Sequence, residues 1–141
     1  TKWNWDGGND SSKDTNKTAV SVKNKKGTAT YTVTLKNKKS KNQPAQVFYV
    51  DIKNILKDHS AKKIKISGVS VKCDGKTVSG MKAVAAGQLE KKEDPNKYRI
   101  SIYNRVGNKQ NGDKTAGYAA SYGKKFKFKK SISVTFKITI K

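Results

Sequence analysis

From Ser131 to Lys141, Ile132, Val134, Phe136, Ile138 and Ile140 alternate with serine, threonine and lysine. Eleven residues at period two describe a strand with one buried and one wet face. Thr28 to Leu35 repeats the pattern, with Ala29, Tyr31, Val33 and Leu35 on one face and threonines on the other. Val20 and Val22 predict a shorter strand before it. Val47 to Ile52 places Phe48, Val50 and Ile52 inward. Lys62 to Cys73 predicts two pieces, Ile64/Ile66 and Val69/Val71/Cys73, parted at Gly68. Asp74-Gly75 is a two-residue hairpin signal of the primed-turn type, and Lys76 to Val78 begins the return strand. Met81 to Ala86 and Tyr98 to Tyr103 predict two more strands. Phe126 and Phe128 alternate with Lys125, Lys127 and Lys129 ahead of the closing strand.

That makes about nine strands, with Gly, Asn, Asp or Lys at the joints. Helix signals are nearly absent, apart from one short turn over Ile52 to Lys57. Repeated short strands without βαβ alternation predict an all-β chain, an antiparallel, jelly-roll-like β-sandwich with minimal helix. Residues 1–141 read as a single domain, with polar loops at Gly7 to Lys17, Leu89 to Lys97 and Gly107 to Thr115. Only 33% of the residues are hydrophobic, but their strict alternation argues against disorder. No apolar run approaches a membrane span. The chain starts at Thr1 without a Met, and we read it as a module cut from something longer.

Thirty lysines and two arginines against ten carboxylates give a formal charge of +22. Such a surface attracts an anionic partner: nucleic acid, anionic lipid, a uronic-acid polysaccharide or a cell-wall teichoate. The lysine bias argues against nucleic acid, which arginine reads best. The single cysteine, Cys73, excludes an intrachain disulfide and a cysteine-based zinc cluster, and reads as a buried, inert thiol. It fits the cytosol, and equally the extracellular proteins of Gram-positive bacteria. The lone histidine, His59, reads as a solvated loop residue. Of the carboxylates, only Asp51 lies in a clear strand, without an apparent partner, whereas a glycosidase needs two that face each other. Gly7-Gly8 is an ordinary loop pair rather than a phosphate cradle. Asp6, Asn9, Asp10 and Asp14 are oxygen donors of the kind calcium takes, but not at EF-hand spacing. The expectation is therefore no enzyme and no cofactor, with a structural calcium as the alternative.

Aromatics out of phase with a strand's inward face are the candidate binding residues. Tyr49 alternates with the core positions Phe48 and Val50, and Tyr103 falls with Arg99 and Ser101, opposite Tyr98, Ile100 and Ile102. Trp3 and Trp5 share one face of a first strand. Tyr118 and Tyr122 lie in the glycine- and alanine-rich stretch AGYAASYG, which reads as a loop or irregular edge. An outward ring offers a sugar a flat apolar surface, and two rings at i and i+2 stand about 6.5–7 Å apart, comparable with a polysaccharide repeat. The alternative is structural: Trp3 and Trp5 closing one end of the core, and Tyr49 and Tyr103 as ordinary exposed strand tyrosines. Tyr31 and Tyr98 read as core. Asn104, Arg105 and Gln110 are the polar candidates for hydroxyl or carboxylate contacts.

The stretches ATYTVTLKN, QVFYVDIKNIL and KKIKISGVSVKCDGKTVSG, then YRISIYNRVGN and FKFKKSISVTFKITI, resemble the β-sandwich carbohydrate-binding modules of secreted glycoside hydrolases from gut and rumen Clostridia. The resemblance covers about Thr28 to Ile140. It implies a non-catalytic monomer, extracellular or attached to the surface of a Gram-positive bacterium. Such a module holds a covalently linked catalytic domain on a plant polysaccharide and raises its effective concentration there. Xylan is the first expectation, because its glucuronic acid branches are anionic; starch is the second. A lysine-rich structural or adhesive domain of a cell-surface protein is the rival from another class. Neither nucleic acid nor membrane insertion is expected.

Overall fold

The longest strands among the described residues run for ten residues each, and all three lie in the same sheet. A computed structural model describes the backbone of residues 2–5 and residues 20–36, 44–107 and 109–141. Its eight strands are β1 (Lys2–Trp5), β2 (Gly27–Lys36), β3 (Ala45–Ile52), β4 (Ile64–Cys73), β5 (Lys76–Thr77), β6 (Ala85–Gly87), β7 (Tyr98–Asn104) and β8 (Ser131–Ile140). They form two four-stranded antiparallel sheets, ordered β1-β3-β7-β6 and β2-β8-β4-β5. We call these sheet A and sheet B. The connections β1–β2, β2–β3, β3–β4, β5–β6 and β7–β8 all pass from one sheet to the other. The all-β antiparallel sandwich read from the alternation is therefore the fold, with eight strands among the described residues where about nine were expected.

One core lies between the sheets. Val33, Leu35, Val71, Ile132, Val134 and Phe136 from sheet B meet Phe48, Val50, Ile52, Ile100 and Ile102 from sheet A. Phe126 stands edge-on to Phe48, their ring centroids 5.1 Å apart. Tyr98 is buried, as expected, and its hydroxyl donates to the Ile64 carbonyl. Tyr31 is only half-buried, and its hydroxyl accepts the Lys23 N–H at 2.8 Å.

Several elements differ from their expectation. Val20 and Val22 form no strand; Val22 packs against the core as a single residue and Val20 is exposed. Gly68 does not split Lys62 to Cys73. It sits at φ 60° in a bulge between Ser67 and Ser70, and β4 runs on through it. The strand expected over Met81 to Ala86 shrinks to β6. Phe126 and Phe128 are both buried, but Phe126 ends a 3₁₀ helix, Ala120–Phe126, and Phe128 lies outside any strand. The helical turn near Ile52 is a 3₁₀ turn over Ile55–Lys57. The loop Gly7 to Lys17, with Asn9, Asp10 and Asp14, lies outside the described residues, as does Asp6.

The hairpin signal at Asp74-Gly75 is fulfilled, with φ of 52° and 81°. The turn also carries a device that alternation does not reveal. The Asp74 carboxylate accepts the backbone N–H groups of Lys129 at 2.8 Å, Lys130 at 2.6 Å and Ser131 at 3.1 Å. It thereby fixes the entry into β8. Desolvation works against the charged carboxylate, but these donors and the Lys130 charge outweigh it and hold the pKa below its ordinary value. A lowered native pKa contributes stability above the unfolded-state pKa, and the contribution is lost as pH falls through the native one. Asp74→Asn should therefore be less stable than wild type at pH 7, by about 1 kcal/mol for this exposed cluster. The gap should narrow between pH 7 and pH 2, as pH falls through the lowered native pKa and the carboxylate takes up its proton. Urea midpoints at the two pH values measure it.

Candidate polysaccharide interface

The aromatic candidates do not form a surface platform. In the β3–β7 pairing, Phe48 faces Tyr103 but Tyr49 faces Ser101, which leaves Ile102 as an extra residue on β7. This bulge advances the alternation by one position. Tyr103 therefore turns to the core side with Phe48 and is fully buried, correcting the outward placement. Its ring lies edge-on to Tyr122 at 5.6 Å, and Tyr122 lies edge-on to Tyr118 at 5.4 Å and to Phe126 at 5.2 Å. Gly123 makes this closure possible, because a Cβ there would stand 2.2 Å from the Ala45 carbonyl oxygen and 2.9 Å from the Tyr103 ring. Tyr122 is buried as well, and its hydroxyl accepts the Lys82 N–H at 2.8 Å. The stretch read as loop or irregular edge is thus a 3₁₀ lid on the core.

Tyr49 does point away from the core, but it is buried under Arg99, whose guanidinium carbon lies 3.6 Å from the ring centroid. Arg99 in turn donates from Nε to Asp51 Oδ1 at 2.7 Å, from Nη2 to Asp51 Oδ2 at 3.1 Å and from Nη1 to Glu90 Oε1 at 2.9 Å. Lys97 adds a second cation to Asp51 at 3.4 Å. Asp51 thus has partners after all, and they are cations rather than another acid. Burial alone would lower the Arg99 pKa; the Asp51 hydrogen bonds and the neighbouring charges reverse that and raise it.

A second polar cluster covers the far end of the same strand. Asp113 accepts Ser101 Oγ at 2.8 Å, Asn104 Nδ2 at 3.1 Å, the Thr115 N–H at 3.0 Å and the Thr115 hydroxyl. Asn104 is consequently a buried structural residue rather than an exposed sugar contact. Of the remaining candidates, Arg105 is exposed, with Nη1 donating to Gln46 Oε1 at 2.8 Å. Gln110 is exposed in a 3₁₀ turn, Lys109–Asn111. Tyr118 is half-buried, its hydroxyl bonded to the Ala83 carbonyl and the Lys82 ammonium 4.9 Å from its ring centroid. Trp3 and Trp5 lie on β1, which pairs with β3 as a first strand should. Their side chains are outside the described residues. His59 is half-buried rather than solvated, with Nε2 buried and unpartnered. Cys73 is half-buried and free, and burial, then the Asp74 charge, pushes its thiol up to about 11.

The outer face of sheet B is built differently. Across its paired strands it presents rows of hydroxyls and amines. Thr28, Thr139 and Lys65 share one row; Thr30, Lys137 and Ser67 the next; Thr32, Thr135 and Ser70 the third; and Thr34, Ser133 and Lys72 the fourth. Lys36 and Ser131 begin a fifth. Every one of these side chains is exposed or half-buried, and none is a carboxylate or an aromatic. Rows stand about 6.7 Å apart along the strands, and neighbouring strands about 4.8 Å apart. Two cross-strand hydroxyl bonds, Thr28–Thr139 at 2.9 Å and Thr32–Thr135 at 2.8 Å, hold the pattern. The threonine alternation was visible in the sequence; that three strands align it into one face was not.

Three substitutions at two positions check these assignments. Tyr103 Oη is buried without a partner, so Tyr103→Phe should leave urea stability unchanged or raise it. Tyr103→Ala should lose about 3–5 kcal/mol. Arg99→Met strands Asp51 and Glu90 without their guanidinium and should cost about 3–5 kcal/mol at pH 7.

No family model, no curated protein and no solved structure matches the chain.

Proposed function

We propose that this chain is a non-catalytic module that binds an acidic polysaccharide and holds an attached catalytic domain on it. Glucuronoxylan is the preferred polymer. The observation that carries the reading is the open outer face of sheet B, where hydroxyl rows are interspersed with Lys36, Lys65, Lys72 and Lys137 and no carboxylate intervenes. Hydroxyls in rows exchange hydrogen bonds with the hydroxyls of a polymer chain laid along the strands. The lysines supply point charges for its carboxylate branches. The resemblance to carbohydrate-binding modules supports the same reading. Starch would use the hydroxyls but leave the charge idle. Nucleic acid fits less well, because the face has neither an arginine fork nor an exposed ring to stack a base.

Affinity electrophoresis tests this on gels of glucuronoxylan, starch and poly-glutamate, with the two anionic polymers matched in carboxylate density. Glucuronoxylan should retard the chain most. Lys65→Ala/Lys72→Ala/Lys137→Ala should lose most of that retardation while keeping wild-type stability. Equal retardation on glucuronoxylan and poly-glutamate, all of it lost at 0.5 M salt with its screening length of about 4 Å, would replace this reading with the adhesive lysine coat.

A further inference from the structure

A groove of about 280 Å³ opens beside the β2 edge of sheet B, rimmed by Lys23, Lys25 and Lys26 and floored by Tyr31, Ile138 and Ile140. No Asp or Glu is among the described residues that line it. The rim is pinned at three successive residues. Val22 packs on the core, the Lys23 N–H donates to Tyr31 Oη at 2.8 Å, and Asn24 Nδ2 donates to Asp58 Oδ2 at 2.5 Å. The three lysines are thus carried by a backbone that is already placed, which lowers the ordering cost of binding.

The volume falls just under the roughly 300 Å³ at which drug-sized ligand sites begin, so it takes one ring rather than an oligomer. The floor is hydrocarbon, and the rim is cationic. A bare anion such as phosphate would satisfy the rim and leave the floor wet. A neutral pyranose would cover the floor and leave the ammonium groups unused. One sugar residue bearing a carboxylate satisfies both, with its C–H face against the half-buried Tyr31 and its carboxylate toward the lysines. We propose that this groove, which opens on the core side of the β2 edge, is a subsite for a single uronic acid residue of the acidic polymer. The proposal rests on the acidic-polysaccharide reading and names the residue that would set its specificity.

Amide chemical shifts of the full chain, titrated with glucuronate-branched xylotetraose, unbranched xylotetraose and inorganic phosphate, test it. The branched sugar should move the amides of residues 23–31 and 138–140, and bind roughly tenfold or more tighter than either control. Lys23→Ala/Lys25→Ala/Lys26→Ala should abolish the response. Lys65→Ala/Lys72→Ala/Lys137→Ala, with the same loss of charge, should keep it. Tyr31→Phe removes the acceptor that positions Lys23, and should weaken binding while the remaining amide spectrum stays that of the wild type. Three results overturn the subsite: equal responses to branched and unbranched sugars, phosphate matching the uronate, or equal losses in the two triple variants. If glucuronoxylan gels still retard the wild type while the branched sugar leaves the groove amides unmoved, the subsite falls and the module's function stands.

Discussion

Seven consecutive residues, Tyr98 to Asn104, are buried, and so both faces of β7 are closed to water. On the core face this needs only apolar side chains. On the other face it brings Arg99 and Ser101 out of solvent, and a buried guanidinium or hydroxyl is tolerable only when paired. The pairing comes from distant segments: Asp51 from β3, Glu90 from the loop before β7, and Asp113 with Thr115 from the turns after it. Covering one strand thus fixes two long connections, β6–β7 and β7–β8. It also commits three of the chain's ten carboxylates to internal work.

This explains which parts of the molecule the sequence discloses. Alternation identified β2, β3, β7 and β8 because each has at least one face whose chemistry follows period two. It failed at Tyr103 because one extra residue, Ile102, moves the phase of β7 by one, and no residue type announces a bulge. It failed at Tyr49 and Asn104 for another reason. Their faces are outward by phase but covered by loops, and loop packing is a tertiary outcome that local pattern does not encode. The stretch AGYAASYG was hardest of all, since Tyr122 and Gly123 close the core only through their fit to Ala45 and Tyr103.

The two sheets consequently present opposite surfaces. Sheet A is overlaid, and its outward aromatic and charged side chains serve the fold. The outer face of sheet B, with its hydroxyl rows, faces solvent. Exposed rings and exposed hydroxyl rows recognise sugars by different means, one through C–H contact and the other through hydrogen bonds. The shift from the first to the second moves the candidate interface from Tyr49 and Tyr103 to β2, β8 and β4.

The charge follows the same division. Besides Asp51, Glu90 and Asp113, Asp74 is held by the β8 entry, Asp58 by Asn24 and Asp94 by the Asn96 N–H. None of these carboxylates stands in the hydroxyl and lysine rows of sheet B, although Asp74 lies at their end in the β4–β5 turn. Lys36, Lys65, Lys72 and Lys137 on this face are four of the thirty lysines behind the charge of +22, and no carboxylate stands in their rows. Like charges kept at close quarters repel and oppose the compact state. A polyanion laid across them removes that repulsion, so its binding free energy includes a share of stability that the free molecule forgoes. A neutral polymer offers no such return, and the lysines would then be a standing cost with no counterpart in binding.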